Sequence, residues 1–313
     1  MEPWVIVLIV IGVLLVGFLI SHFSIIYYIF TRFFARFKIS EIDERLKQDH
    51  NYDRFRQDMF DIRHELENKE HKILTVISKD ELKLHGYFYN QNSKDTIIFF
   101  HGVHVNALNT FSIHAKKCLE HGYNVLIVDQ RAHSLSEGKY ITYGKYEQED
   151  VLRWVELVDK MDGVENIYLY GSSMGGTSVC LASNKITFKK VKALAVDCAF
   201  TTFRKLINHI LSTKKIPSKL FMPGVEYYAK HLAKVEFDDF DTTVSLKQNK
   251  IPTLFIQGTA DVVVSENFLA DNYNTCASLK EELLIKDATH TLALNYGGDE
   301  AFNKMFKFFE ENR

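Results

Sequence analysis

The chain divides into three stretches with different patterns of apolar and polar residues. The first is nearly uniform. From Pro3 to Thr31 there is no Asp, Glu, Lys or Arg, and Trp4 to Phe30 is almost wholly apolar. As a helix this run would be about 40 Å long, enough to cross a bilayer with some tilt. A cleaved signal peptide would want basic residues first, a shorter apolar core and a small-x-small cleavage site. Here Glu2 precedes the run, and the bulky Tyr27, Tyr28 and Phe30 close it. The pattern therefore predicts an uncleaved transmembrane anchor over residues 1–31, with Trp4 and Tyr27–Tyr28 at the two interfaces. Arg32, Arg36 and Lys38 come before the first following acid, Glu41, and no Lys or Arg precedes the run. The positive-inside rule then predicts a body on the cytoplasmic side of a cell membrane.

Residues 32–71 are charged, mixed in sign and free of Gly and Pro. Arg45, Asp49, Asp53, Arg56 and Glu65 read as a solvated juxtamembrane helical stalk without chemistry, and Phe33, Phe34 and Phe37 as residues of the membrane interface. From Lys72 the pattern turns to strands. Ile73–Ile77 and Leu82–Tyr89 flank the polar Ser78–Glu81 and predict a hairpin. Solid apolar runs follow at Thr96–Phe100, Asn124–Val128, Ile167–Tyr170, Val191–Val196, Thr253–Ile256 and Glu282–Ile285. Such runs mean strands covered on both faces, as in a parallel sheet between helices. Helical stripes separate them: Leu108, Phe111, Ala115, Cys118 and Leu119; Val151, Trp154, Val155 and Val158; Phe302, Met305, Phe306 and Phe309. The alternation predicts a three-layer α/β fold over 72–313. Between about 200 and 250 no strand-like run occurs, and apolar residues such as Phe203, Leu206, Ile207, Leu220 and Phe221 are divided by Pro217 and Pro223. That stretch predicts a helical cap over the sheet's C-terminal edge.

Composition adds bounds. The 313 residues are 46% hydrophobic and 25% charged with a net charge of −2, which suits one large core and gives no support for nucleic-acid binding. Cys118, Cys180, Cys198 and Cys276 are widely spaced without metal-ligand pairing, and no disulfide is expected.

The chemistry lies in Tyr168-Leu169-Tyr170-Gly171-Ser172-Ser173-Met174-Gly175-Gly176, an apolar run followed by Gly-x-Ser-x-Gly and a helix-compatible stretch. This is the pattern of a nucleophile elbow, and it makes Ser173 the expected attacking group. A serine needs a base, and the base needs an orienting carboxylate, in the chain order Ser, acid, His. Downstream lie His209 and His231, both in the cap stretch, and His290, which follows the last strand run; His290 is the expected base. Two acids follow strands, Asp197 and Asp261. The glycine-containing turn before Asp261 favours it, with Asp197 capping the start of the insertion. Asp287 is too near His290 in sequence to turn back onto its ring. The oxyanion hole needs two N–H groups, expected from Met174 and from Val103 in the loop His101-Gly102-Val103-His104. His101, His104 and His133 lack an accompanying carboxylate or cysteine at ligand spacing, so neither a metal nor a cofactor is expected.

Residues from about Lys72 onward resemble the α/β-hydrolase superfamily, in particular bacterial membrane-anchored serine esterases and acyl hydrolases related to prolyl-oligopeptidase-like and acylglycerol-lipase-like enzymes. The resemblance rests on His101-Gly102, on Asp129 to Gly138, on Gly171 to Gly176, on Gly258-Thr259-Ala260-Asp261 and on His290. It implies the triad Ser173, Asp261 and His290, the oxyanion pair Val103 and Met174, and a small-molecule or lipid ester as substrate. One position departs from the family's Arg-x-His-Gly-x-Ser motif, where Ser134 replaces the glycine. A peptidase or amidase of the same fold, or a noncatalytic lipid-binding scaffold, are the alternatives.

Overall fold

The computed structural model describes residues 2–213 and 218–313. Pro217, expected to divide the cap, lies outside them. The apolar N-terminal run forms one helix, α1 (Pro3–Phe34), with mean hydropathy 3.0 over its most apolar 18 residues. Two shorter helices follow, α2 (Ile39–Gln48) and α3 (Arg56–Asn68). The predicted hairpin is β1 (Lys72–Ile77) and β2 (Lys83–Tyr89). Beyond it strands and helices alternate: β3 (Asp95–Phe100), α4 (Ala107–Glu120), β4 (Asn124–Asp129), α5 (Glu147–Asp159), β5 (Asn166–Ser172), α6 (Met174–Ala182) and β6 (Val191–Asp197). The insertion holds α7 (Phe203–Thr213), α8 (Ser218–Tyr228), which runs on as a π-helical turn, and the short α9 (Thr242–Leu246). The chain closes with β7 (Thr253–Gly258), α10 (Glu266–Thr275), β8 (Lys280–Ile285) and α11 (Ala293–Glu311).

The strands make one eight-stranded sheet in the order β1-β2-β4-β3-β5-β6-β7-β8. β2 runs antiparallel to β1 and β4, and every other pairing is parallel. The central strands are covered on both sides, which is why they read as unbroken apolar runs rather than alternations. One face packs Phe99, Tyr170, Phe111, Met305 and Phe309 beneath α4 and α11. The other packs Leu126, Leu169, Trp154 and Val179 beneath α5 and α6. A third apolar cluster lies under the cap, around Phe200, Phe203, Phe237 and Tyr143.

The segment 32–71 is helical and its charged residues are mostly exposed, but one stripe of it docks on the body. Ile42, Phe55, Met59 and Leu66 are buried, and α3 lies along α4, with Arg63 bonded to Asp43 at 3.0 Å and Lys116 to Glu65 at 3.0 Å. The aromatic residues expected at the membrane interface also turn inward. Phe34 and Phe37 are buried in the protein, and Phe34 stacks among Phe30, Tyr143 and Phe203. The last turn of α1 is locked to the body by main-chain bonds, Ile141 N–H to Phe34 O at 2.8 Å and Arg36 N–H to Lys139 O at 3.1 Å. The physical reason is a sparse stripe. Phe55, Met59, Ile62 and Leu66 recur at helical spacing inside a charged sequence and cover one flank of the domain.

Ser134 shows what its departure from the glycine motif entails. Its φ is 41°, in the left-handed region where glycine is at home, and the loop is held from outside by Arg36, which donates to Ser134 O and Ser136 O. Beside it Arg131 is buried and pairs with Asp150 at 2.6 and 2.8 Å and with Asp80 at 3.0 Å.

Candidate active site

Ser173 sits alone between the end of β5 and the start of α6, at φ 54° and ψ −118°. A non-glycine residue in this region is strained, and the surroundings must hold it there. The flanking glycines make the turn sterically feasible. A Cβ on Gly171 would come 2.5 Å from Gly175 O, and one on Gly175 would come 1.9 Å from Phe100 O. The Ser173 N–H donates to Asp197 O at 2.8 Å, and its carbonyl accepts from Thr177 N–H at 2.9 Å. The elbow is thus bonded to the neighbouring strand and to its own helix.

His290 lies in the loop between β8 and α11. Its Nε2 stands 3.0 Å from Ser173 Oγ, and its Nδ1 stands 2.7 Å from Asp261 Oδ2. With Nδ1–H donating to the carboxylate, Nε2 is left as acceptor for the serine hydroxyl. The Asp261 carboxylate is shut off from solvent. Its Oδ1 accepts from Val263 N–H at 2.8 Å and Val264 N–H at 2.9 Å, and its Oδ2 also accepts from Gln257 Nε2 at 3.2 Å. Three groups distant in sequence converge, each from a loop at the C-terminal end of a strand. His209 and His231 stay out on the cap surface, bonded to Val262 O and Tyr227 O.

Asp197 does not cap the insertion. Its side chain points inward, with Oδ2 accepting from Tyr170 Oη–H at 3.0 Å and Oδ1 without a partner among the described residues. Burial pushes its carboxyl up to about 7. The folded protein therefore holds a proton there that the unfolded chain releases near pH 4. Stability from this group is full at low pH and falls as pH rises from about 4 to about 7. The variant Asp197→Asn should flatten that fall, seen as urea midpoints that differ less between pH 5 and pH 8 than those of the wild type.

The loop after β3 passes directly over the serine. A Cβ on Gly102 would lie 3.2 Å from Ser173 Cβ. Val103 follows it, and Met174 opens α6; among the described residues neither N–H has an acceptor. The imidazoles behind the loop serve the main chain. His101 Nδ1–H donates to Gly102 O at 2.7 Å while its Nε2 accepts from Gln130 N–H at 3.0 Å. His133 Nδ1–H donates to Arg131 O at 2.9 Å and its Nε2 accepts from His104 N–H at 3.0 Å. Burial lowers His101 well below the ordinary range, His133 to about 4 and His104 to about 3, so all three are neutral.

A sequence profile described as the α/β hydrolase fold matches residues 95–222, which run from β3 into the start of α8 and include the serine elbow. This is an α/β-hydrolase-fold protein. Among relatives, the chain is similar to YqkD of Bacillus subtilis (strain 168), an uncharacterized protein, at 27% identity over 64% of this chain and 67% of that one. It is similar to YfhR of Salmonella typhi, also uncharacterized, at 25% identity over 71% and 75%. Among solved structures, the Pyrococcus furiosus esterase Pf2001 superposes with a TM-score of 0.64 at 22% identity, covering 79% of this chain and 94% of that one. An esterase from Exiguobacterium antarcticum gives 0.57 at 17% identity, covering 75% and 98%.

In this fold a cavity of about 390 Å³ opens onto Ser173 and His290. Phe200, Phe203, Leu206, Ile207 and Ile210 form its apolar wall on the cap side. The opposite wall is formed by the N-terminal segment, through Arg32 and Phe33 of α1, Ile42, Arg45 and Leu46 of α2, Tyr52 and Met59. Sequence reasoning missed this wall because it read 32–71 as a stalk. It also missed Gln257, which steadies Asp261 and bonds Val264 O at 2.8 Å; a polar residue inside the apolar β7 was its only signal.

Proposed function

We propose that this protein is a membrane-anchored serine hydrolase that cleaves carboxylic esters with hydrophobic acyl groups through an acyl-enzyme. The observation that carries the reading is the relay Ser173 Oγ–His290 Nε2 at 3.0 Å and His290 Nδ1–Asp261 Oδ2 at 2.7 Å, open to an apolar cavity. His290 takes the Ser173 proton as Oγ attacks the acyl carbon, and Asp261 stabilises the imidazolium that forms. Val103 and Met174 N–H face the developing oxyanion, with the positive end of α6 behind it; each donor is worth about 3 kcal/mol in such sites. His290 then protonates the leaving alcohol, and water, activated by the same nitrogen, releases the acid.

The membrane part of the reading is supported by how α1 ends. Residues from Trp4 to Tyr28 leave large apolar side chains exposed, a surface far larger than soluble proteins tolerate. Yet Ile26, Phe30 and Phe34 belong to the core under the cap. Cleaving the helix as a leader would strip that core, so retention as an anchor is favoured. Arg32, Arg36 and Lys38 support a cytoplasmic body.

A fluorophosphonate probe should label the full-length wild type at Ser173, and p-nitrophenyl acyl esters should be turned over faster than the matching anilides. Absence of labelling in folded protein would end the serine-hydrolase reading, and faster anilide cleavage would make it an amidase.

A further inference from the structure

Resting on the ester-hydrolase reading, we infer that the pocket takes a single-chain lipid ester with a phosphate-bearing head, the head bound by Arg32 and Arg45 and the acyl chain lying along Phe203 and Ile207 of the cap. The starting observation is a pair of cations without counterions. Both arginines line the cavity that contains Ser173. Their guanidinium carbons lie 4.6 and 4.2 Å from the centroid of one ring, Phe37, which keeps them within about 9 Å of each other. Phe37 is itself fixed, stacked on His104 at 3.8 Å. The ring contacts position the two guanidiniums and leave their N–H donors unused, since among the described residues neither forms an ion pair or a hydrogen bond.

The neighbouring acids are all committed elsewhere. Glu41, one helical turn before Arg45, accepts from Lys38 N–H at 3.1 Å instead. Asp43 pairs with Arg63, and Glu44 with Lys47. Asp49 is the one carboxylate lining the cavity among the described residues, and its Oδ1 accepts from Asn51 N–H at 3.0 Å and Asn51 Nδ2 at 2.8 Å. Two like charges held close at a partly apolar pocket, with Asp49 the one carboxylate in its lining and paired to neither of them among the described residues, repel each other until a further anion joins them. A phosphate with three acceptor oxygens answers two guanidiniums better than a neutral hydroxyl does.

The position selects a lipid as the source of that phosphate. Arg32 lies in the last turn of α1, two residues beyond the end of the apolar run. At 1.5 Å rise per residue it stands about 3 Å past Phe30, at the depth of the headgroup layer if α1 spans a bilayer. The same cavity is lined by Phe33, Phe203 and Ser173.

The test uses full-length protein in neutral-detergent micelles with two ligands that differ only by the phosphate group, 1-oleoylglycerol 3-phosphate and 1-oleoylglycerol. Wild type should favour the phosphate ester by about tenfold or more in kcat/KM, mainly through KM. The double variant Arg32→Gln/Arg45→Gln should lose that preference. A wild type that prefers the neutral ester, or a double variant that loses both oleoyl esters equally, overturns the inference. The two ligands are also titrated against Ser173→Ala, with and without the arginine changes. Weaker binding of the phosphate ester alone, by about tenfold in the triple variant, supports the subsite even if no ester is turned over, a result that would sink only the hydrolase reading. Equal binding of both ligands sinks the subsite and leaves that reading intact. Glycerol 3-phosphate, which has no chain, should not compete at the same concentration; if it does, the site binds free phosphate esters and the lipid assignment fails.

Discussion

Replacing Ser173 by Ala should lower kcat on an activated ester by about 10⁶-fold, and His290→Ala should cost about as much. On the hydrolase reading proposed above, both effects follow from the geometry. At 3.0 Å the Ser173 hydroxyl has one base, and at 2.7 Å that base has one orienting carboxylate. Groups acting as one unit do not add, so Ser173→Ala/His290→Ala should be no slower than either single variant. What remains should be the contribution of the Val103 and Met174 N–H groups and of substrate binding, a residual of about 10³-fold over water. Single-turnover kinetics on p-nitrophenyl butyrate, with circular dichroism to confirm folding, measure this. A double variant much slower than the singles would mean that serine and histidine act in separate steps. An unaffected Ser173→Ala would move the chemistry to another group.

Cutting the chain before Lys72 should not yield a working soluble enzyme, although the sheet and all three triad residues survive the cut. The segment removed carries Ile26, Phe30, Phe34, Ile42, Phe55, Met59 and Leu66, all buried against the body. Burying one such side chain is worth about 1.5–3 kcal/mol, so the set amounts to about 10–20 kcal/mol. Whole domains have a net stability of about 5–15 kcal/mol. The cut also removes one wall of the cavity, from Arg32 to Met59. The expected product aggregates, or binds a hydrophobic dye and unfolds without cooperativity. A cut within α1, keeping Ser24 onward, should retain the fold, because the exposed part of α1 contributes nothing to the core. Equal behaviour of the two truncations, judged by thermal melting, would contradict this account.

The sheet was legible because β3 to β7 are covered on both faces; the run at β8 reads as covered too, but as the edge strand it is exposed at Glu281, Glu282 and Leu284. Six apolar runs marked six strands, and the partly alternating hairpin marked β1 and β2 as the less covered edge. The elbow was legible because its steric demands fall on neighbouring residues. Only glycine fits at 171 and 175, and that need is written into the sequence at fixed spacing. The choice between Asp197 and Asp261 was open to view, since both follow strands, but the part Asp197 plays was not. Its partner, Tyr170, lies on the adjacent strand, and nothing local announces a side-chain bond of 3.0 Å across 27 residues. The N-terminal wall was hidden for a related reason. Charged residues dominate 32–71, and the few apolar positions that dock, Ile42, Phe55, Met59 and Leu66, look too sparse for a core until the surface that receives them is known.

The cap is fastened to a helix that ends at Phe34, well before the sheet begins at Lys72. Ile26 packs so tightly on Gly224 that a Cβ there would come 2.7 Å from its methyl, and Tyr27 and Phe30 flank Tyr228. A flap hinged only to the sheet can swing freely. Here the α8 half shares its interior with α1, so swinging it outward would drag that helix or tear the seam between them. If α1 is the membrane anchor proposed above, the thickness and tension of the surrounding lipid gain leverage on how wide the entrance stands.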